Sequence, residues 1–281
     1  MKDLFPKLTK DKFYKIDLSV GSEWIGGRNE IENLDIFQFK IEKLQKDQHE
    51  KIIAGGYLEP RSIYTSDTYE KIGNYGTENR TIHLGLDFWL PPGTEVSAMF
   101  DGEVVTAVND QGHKEYGGLV ILKHRIEDIE FYTLYGHNTV ESVLKNKIGS
   151  RVKRGEIIAE IANYPENGNW APHLHFQIML SMLDHKIDFP GVCYFNQIDV
   201  WEDLCPDPNL LFKSKDLDLD QSNSLQELIK HRKNHLGKSL KLHYEEPLHI
   251  IRGEGVYLMD SNGRKLSLIH ISEPTRPERI G

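Results

Sequence analysis

Between about residues 80 and 180, apolar and polar positions alternate in short runs that are separated by the turn signals PPG, DG, GG and NG. A period of two is typical of strands with one buried face, and closely spaced turns favour antiparallel connections. We therefore predict a mainly β fold, an antiparallel sandwich or barrel over residues 52–185, with small α/β extensions.

Two segments of this β region resemble each other. PPGTEVSAMFDGEVV and KIGSRVKRGEIIAEI both contain a glycine, a strand with a valine, and a second glycine turn followed by a strand. Internal similarity at a fixed spacing, here roughly 58 residues, indicates repeated structural units. We expect two similar hairpins that pack within one domain.

The flanking regions follow other patterns. A short strand is predicted at Phe13–Val20, and the apolar spacing within Asp35–Ile53 favours an amphipathic helix. A further helix is predicted at Ser224–His235, before Gly237. The expected divisions outside the β domain are an N-terminal extension (1–51), a linker with a helix (186–235), a fragment with two short strands (236–265) and a tail (266–281).

Charge and composition narrow the classes of partner. The chain carries 34 Lys and Arg against 43 Asp and Glu, a net charge of −9, which argues against nucleic acid. We expect no membrane span, because no apolar run is long enough. The first residues mix charges throughout and do not read as a signal peptide, so we expect a cytoplasmic location. Cys193 and Cys205 are expected to be free thiols.

Three short motifs carry residues suited to catalysis. In TIHLGLDFWLPPG, His83 and Asp87 alternate with apolar residues, which places both on one face of a strand. In APHLHFQIML, His173 and His175 again share a strand face, and in FYTLYGHN the strand turns at Gly136 and ends at His137. Each motif alone is weak evidence, since such residues are often structural. Their occurrence together in one β domain is stronger evidence.

Two neutral imidazoles and one carboxylate make a suitable zinc site that leaves a fourth position for water. Such a site keeps a charge of about +1, which lowers the pKa of bound water and polarises a carbonyl group. Two further histidines near that water can act as general base and acid. No HExxH helix is present to supply a glutamate base.

HLGLD, YGH and PHLHF, in this order, resemble the lysostaphin-type zinc metallopeptidases, which are β-rich enzymes that cut cell-wall peptides, often beside glycine. The similarity covers about residues 54–180. It implies that His83, Asp87 and His175 are the Zn²⁺ ligands, and that His137 and His173 flank the attacking water. The substrate expected from the resemblance is a glycine-containing or peptidoglycan-type peptide. How His137 and His173 divide their roles stays open.

The sequence also supports weaker predictions about other residues. Arg61, in EPRSIY, falls where the family often has a pocket-forming arginine, and Tyr64, Tyr75 and Tyr135 are candidate pocket residues. The remaining histidines are expected to be ordinary surface or packing residues: His49, His113, His124, His185, His231, His235, His243, His249 and His270.

The C-terminal part differs from the family. EEPLHIIRGEGVYLMDSNGRK, within residues 236–265, resembles the opening strands of class III pyridoxal-phosphate-dependent aminotransferases, without a cofactor lysine or phosphate loop. After Lys265 the pattern is lost, and LSLIHISEPTRPERIG resembles translated sequencing adapter, which indicates a non-native or disordered tail. We expect a fragment of a longer multidomain polypeptide that is poorly ordered after about residue 236.

Three functions are therefore compatible with the sequence. The first is a zinc metalloendopeptidase. The second is a noncatalytic zinc-binding module of a larger cytoplasmic protein with an aminotransferase domain. The third uses the same metal centre on a small cytoplasmic peptide or amine. Cell-wall enzymes of this type usually act outside the cytoplasm, which is at odds with the absence of an export signal.

Overall fold

The computed structural model describes residues 1–64, 69–73, 76–219, 229–230, 232, 234–235 and 247–267. Strands dominate these residues, and a search of their helices finds none that could cross a bilayer. The predicted mainly β fold is confirmed. The predicted helix Ser224–His235 falls largely outside the described residues, as does most of the tail after Lys265.

The strands are β1 (Phe13–Lys15), β2 (Ile52–Gly55), β3 (Glu70–Gly73), β4 (Gly76–Asn79), β5 (Ile82–His83), β6 (Leu86–Trp89), β7 (Glu95–Ser97), β8 (Gly102–Asp110), β9 (Gly117–Ile126), β10 (Ile129–Asn138), β11 (Arg151–Val152), β12 (Ile157–Glu160), β13 (Leu174–Met179), β14 (Val192–Cys193), β15 (Ile250–Glu254), β16 (Tyr257–Asp260) and β17 (Lys265–Ser267). The helices are α1 (Arg28–Glu32), α2 (Leu34–Asp47), α3 (Val140–Val143), α4 (Ile198–Leu204) and α5 (Asn209–Phe212).

One eight-stranded sheet organises the β domain, in the order β1-β2-β6-β13-β10-β9-β8-β11. Every pair in it is antiparallel except β1 with β2. The sheet pairing crosses both predicted domain boundaries, at residues 52 and 185, because β1 pairs with β2 and β14 pairs with β5. Strands β6, β13 and β10 lie side by side at the centre, which brings their residues together.

The two similar segments predicted from the sequence pair with each other reciprocally. The first contributes β7 and β8, and the second contributes β11 and β12. Strand β7 pairs with β12, while β8 pairs with β11, both antiparallel. The expectation of two separate hairpins is therefore wrong, because the strands of each segment pair with the other segment and not with each other.

Alternation in TIHLGLDF separates a core face from a polar face, as predicted. Ile82, Leu84, Leu86 and Phe88 are all at most 1% exposed. The segment is two strands rather than the single strand expected, because the chain breaks from pairing between β5 and β6. Gly85 lies at this break, where a Cβ would stand 2.8 Å from the His175 ring, so the close approach of β13 requires glycine.

Two elements predicted for the N-terminal extension are shorter in the structure. The strand predicted to Val20 ends at Lys15, and the helix predicted to Ile53 ends at Asp47. Helix α2 begins at the N-cap Asn33, whose side chain accepts hydrogen bonds from Asp35 and Ile36. Ile52 and Ile53 instead enter the central sheet, where burial on both faces outweighs the helical spacing of the preceding residues.

The prediction of poor order after residue 236 is wrong for residues 250–267, which form a three-stranded antiparallel sheet. The predicted DSNG turn joins β16 to β17. This sheet contacts the β domain, where Thr81 Oγ1 donates a hydrogen bond to Asn262 O at 2.8 Å, and the N-terminal extension, where Arg252 donates one to Gly26 O. The contact supplies packing that an isolated hairpin lacks. Its resemblance to aminotransferases stays a prediction.

Candidate metal centre

Register within the central sheet brings the three sequence motifs together. His175 on β13 lies opposite Asp87 on β6, and on its other side opposite Gly136 on β10. His83 ends β5, four residues before Asp87, and His173 directly precedes β13. All five predicted residues converge at one place, each no more than 6% exposed.

His83, Asp87 and His175 each direct one atom toward a common point, with all three atoms within 4.8 Å of one another. His83 Nε2 lies 2.8 Å from His175 Nδ1, and both nitrogens lie 3.2 Å from Asp87 Oδ1. A tetrahedral zinc ion with bonds of about 2.0–2.1 Å separates its ligand atoms by about 3.3 Å. The spacing is thus close to what zinc requires.

Hydrogen bonds on the far side of each ring fix which nitrogen faces the centre. His83 Nδ1 lies 2.9 Å from Gly56 O, a carbonyl that can only accept, so this nitrogen carries the proton. His175 Nε2 lies 2.9 Å from Gln177 Oε1, and Gln177 Nε2 donates to Pro190 O, which sets the amide orientation. Two imidazole lone pairs and a carboxylate oxygen therefore face one another, which is an environment suited to a cation.

Arg61 anchors the remaining carboxylate oxygen of Asp87. Its Nη1 lies 2.6 Å from Asp87 Oδ2, and its Nε lies 2.7 Å from Glu59 Oε2. A Cβ at Gly56 would overlap this guanidinium, so the residue must be glycine there. Arg61 is 2% exposed and acts as a positioning residue behind Asp87, which the sequence had suggested only from its place in EPRSIY.

Burial and charge shift the titration of these groups in consistent directions. Burial and the nearby Arg61 lower the pKa of His83 to about 3. Burial alone would raise the pKa of Asp87, but the neighbouring His83 and Arg61 hold it well below its usual range. His83 is accordingly a neutral imidazole and Asp87 a carboxylate at neutral pH, the protonation states in which these two residues bind a metal.

His137 and His173 flank the three ligand residues. Their ring centres lie 4.3 Å apart, and His173 Nε2 lies 3.7 Å from Asp87 Oδ1. Each Nδ1 is held by a backbone carbonyl, Asn167 O for His137 and Ala171 O for His173, which leaves each Nε2 free. His137 has a φ of +67° at an irregularity in the pairing of β10, the turn that the sequence placed at Gly136. Burial lowers the pKa of both, that of His173 to about 4.

A cleft of about 230 Å³ opens above these residues, and aromatic side chains form much of its wall. Trp89 stacks on His173 with ring centres 4.5 Å apart, and Tyr116 lies 5.5 Å from His137 and from His175. Sequence reasoning missed Trp89 and Gln177. Both lie two positions after a predicted ligand on the same strand, so the period of two would have indicated them.

The weaker predictions for individual residues have different outcomes. Tyr64 lines the cleft as predicted, whereas Tyr135 is wrong: its hydroxyl lies in the core, in contact with Met99 and Thr133. Tyr75 lies outside the described residues. His185, expected to be an ordinary residue, lines the cleft beside Asp188. Cys193 and Cys205 are free, as predicted, and both are buried.

Comparison with known proteins identifies the class to which this arrangement corresponds. Residues 81–188 match the family described as Peptidase family M23, and all five converging residues lie within the match. The match supports the predicted enzyme class, which is a metalloendopeptidase and therefore a hydrolase.

Particular relatives agree with that class. The chain is 35% identical to the glycyl-glycine endopeptidase ALE-1 of Staphylococcus capitis over 43% of this chain and 32% of that protein. It is 33% identical to lysostaphin of Staphylococcus simulans over 43% of this chain and 23% of that protein. It thus spans about a third or less of the length of these relatives. The solved catalytic domain of Staphylococcus simulans lysostaphin is 26% identical, covers 48% of this chain and 81% of its own, and gives a TM-score of 0.33.

Proposed function

We propose that the chain is a zinc-dependent metallopeptidase that hydrolyses peptide bonds, with glycine-containing or peptidoglycan-type peptides as substrate. The observation that carries this proposal is the convergence of His83, Asp87 and His175 at metal-ligand spacing beneath a cleft. His137 and His173, with free Nε2 atoms, lie beside them.

His83 Nε2, Asp87 Oδ1 and His175 Nδ1 would hold the zinc ion. Zinc bound by two imidazoles and a carboxylate supplies Lewis-acid polarisation of a carbonyl group and lowers the pKa of a water. The chain contributes the orientation of these ligands. Gly56 O and Gln177 Oε1 fix the two imidazoles, and Arg61 fixes the carboxylate.

His137 and His173 would transfer protons. Burial keeps both imidazoles neutral, so either Nε2 can accept the proton of the attacking water. The protonated imidazole can then return this proton to the departing amine. The second imidazole, once protonated or hydrogen-bonded, stabilises negative charge on the substrate oxygen. Stacking on Trp89 holds the His173 ring in place during this cycle.

The substrate class rests on the relatives and on the cleft. The endopeptidase of Staphylococcus capitis is described as acting on glycyl-glycine bonds. A cleft of about 230 Å³ with aromatic walls favours an extended peptide with small side chains near the bond that is cut.

The first test is zinc per chain by elemental mass spectrometry, together with hydrolysis of pentaglycine, for the wild type and for Asp87→Ala. We expect about one zinc and turnover in the wild type, and neither in the variant, because Asp87 supplies the only carboxylate of the three ligands. The exposed His49 provides the control His49→Ala, which should behave as the wild type. Full turnover after removal of zinc by a chelator would refute the proposal.

The second candidate is a noncatalytic zinc-binding module of a larger cytoplasmic protein with an aminotransferase domain. It is favoured by the contact between the β15–β17 sheet and Thr81, since this sheet carries the resemblance to aminotransferases. Stoichiometric zinc without hydrolysis of any glycine-containing peptide would favour this candidate. A cytoplasmic location and the proposed missing domains stay predictions.

A further inference from the structure

Lys114 occupies the wall of the cleft, in the connection between β8 and β9. Its backbone is held on both sides: its N–H donates to Gly168 O at 2.8 Å, and its C=O accepts from the Tyr69 hydroxyl. Lys114 also has a φ of +70°, a conformation that costs a non-glycine residue free energy. Strain of this kind is tolerated where surrounding contacts enforce it, and it concentrates at functional positions.

The ammonium group of Lys114 is also held in place by its neighbours. Nζ lies 3.7 Å from the centre of the Trp170 ring and donates a hydrogen bond to Asn169 O at 3.0 Å. Among the described residues none forms an ion pair with Lys114, although the charge of Glu32 is near enough to raise its pKa. An ammonium has three donors, so this one retains capacity to bind an anion. Burial lowers the pKa of Lys114 to about 8, and a bound carboxylate would offset that cost.

Trp170 connects this ammonium to the catalytic histidines of the proposed mechanism. Its ring centre lies 6.2 Å from that of His137 and 6.5 Å from that of His173. The ammonium therefore lies within about 10 Å of the His137 ring, and an extended peptide advances about 3.3–3.6 Å per residue. A group recognised by Lys114 belongs to a residue no more than about three positions from the bond that is cut.

The other charges of the cleft are compatible with anion binding at this point. Arg80 lies over the Tyr69 ring at 5.3 Å, and the hydroxyl of Tyr69 donates to the backbone carbonyl of Lys114. Glu115 and Asp188 also line the cleft, and burial raises the pKa of Glu115. The cation at this point of the wall is the ammonium of Lys114, and Trp170 beside it offers a flat surface against which a peptide unit can lie.

We propose that Lys114, held over Trp170, is a specificity-determining residue that binds a carboxylate group of the peptide substrate within three residues of the cleaved bond. This inference rests on the proposed peptidase function and adds to it a preference for substrates that carry a free carboxylate near the bond. Such a group occurs at the end of a peptide chain or on an acidic side chain.

The test compares tetraglycine, which has a free terminal carboxylate, with tetraglycine amide, which lacks it and is otherwise matched. Dissociation constants for the zinc-loaded protein are measured by isothermal titration calorimetry, with His173→Ala as the background so that neither peptide is consumed. We expect tetraglycine to bind about tenfold more tightly than tetraglycine amide, because one charge-assisted hydrogen bond contributes free energy of about that size.

Lys114→Met should reduce the affinity for tetraglycine to that for the amide and leave the affinity for the amide unchanged. Lys114→Arg preserves the charge, and should retain part of the preference even where the strained backbone makes Lys114→Met unstable. The exposed Lys145 provides the matched control Lys145→Met, for which we expect no change.

Equal affinities of the wild type for the two peptides, or an equal loss of both in Lys114→Met, would overturn the proposal, as would failure of tetraglycine to bind at millimolar concentration. The proposed function is tested separately by turnover in protein with His173 intact. Cleavage of both peptides at equal rates would support the peptidase and reject the carboxylate preference. A preference in binding without cleavage would reject the peptidase and support the carboxylate site.

Discussion

Two groups of buried residues contain histidine, one within the eight-stranded sheet and one at its centre beside β5, and they have opposite properties. In the closed cluster, His124 on β9 uses both ring nitrogens: Nδ1 lies 2.9 Å from Asp101 O, and Nε2 lies 2.6 Å from Thr133 Oγ1. Thr133 Oγ1 also lies 3.1 Å from the hydroxyl of Tyr135. In the open cluster of His83, Asp87 and His175, every ring has one nitrogen held and one lone pair directed at the others.

Burial therefore does not distinguish a functional histidine from a structural one in this chain. His124 is 1% exposed and His83 is 2% exposed. The difference is the number of hydrogen-bonding groups left without a partner. The closed cluster is satisfied by the chain itself, whereas the open cluster brings acceptors together without a donor and needs a cation to be stable.

After the loss of a metal ligand, the largest effect is expected from His173→Ala. This variant should keep about one zinc per chain, and its rate of pentaglycine hydrolysis should fall roughly 10²- to 10⁴-fold. The expected loss is that of a proton-transfer group rather than of a ligand. Rate and zinc content are measured on the same preparation.

His124→Gln is the matched change in the closed cluster and should leave both zinc content and rate within about twofold of the wild type, because it touches neither the ligands nor the cleft. A variant His173→Ala that loses its zinc would show that His173 is a ligand, and the assignment of roles would be wrong.

A smaller effect is expected from Gln177, which fixes the proton of His175 from two positions along β13. Gln177→Leu should weaken zinc affinity about 10- to 100-fold, the usual cost of losing a hydrogen bond that orients a ligand. Competition with a fluorescent chelator measures this affinity without reference to activity.

Gln177→Glu keeps an acceptor for His175 Nε2 and should retain most of the affinity. Thr133→Val removes a hydroxyl from the closed cluster and should not alter the affinity at all. Equal zinc affinity in Gln177→Leu and the wild type would show that the orientation of His175 is set by packing alone.

The smallest effect concerns stability in acid. Burial lowers the pKa of His124 below the reference value of 6.5, so the folded state binds this proton less readily than the unfolded state does. Stability from the neutral ring is present above pH 6.5 and is lost as pH falls below it, by up to about 1.4 kcal/mol per pH unit.

Urea unfolding of zinc-loaded protein at pH 7.5 and pH 5.5 measures the loss for the wild type and for His124→Gln. We expect the free energy of unfolding of the variant to fall less over this interval. An equal fall in both proteins would mean that folding does not change the pKa of His124.

Much of the metal centre was accessible from the sequence because strands impose a period of two. His83 and Asp87 alternate with four buried apolar residues, and His173 and His175 alternate with Leu174 and Phe176. This regularity predicted both the strands and the face that carries the chemistry. The same rule, applied one step further, indicates Trp89 and Gln177. The helix boundary at Asp47 was not accessible, because the burial of Ile52 and Ile53 in a sheet depends on partners distant in the chain.

The sequence by itself determined the β fold and the presence of two similar segments, because alternation and turn residues are local properties. It also indicated the five residues that converge, through the three motifs and their resemblance to a known family. Only the tertiary structure decided that Arg61 lies behind Asp87, that Tyr135 belongs to the core, that Lys114 lies over Trp170 and that residues 250–267 contact the β domain. These contacts join positions far apart in the chain. They depend on sheet register and on the paths of loops, for which no local pattern in the sequence is a guide.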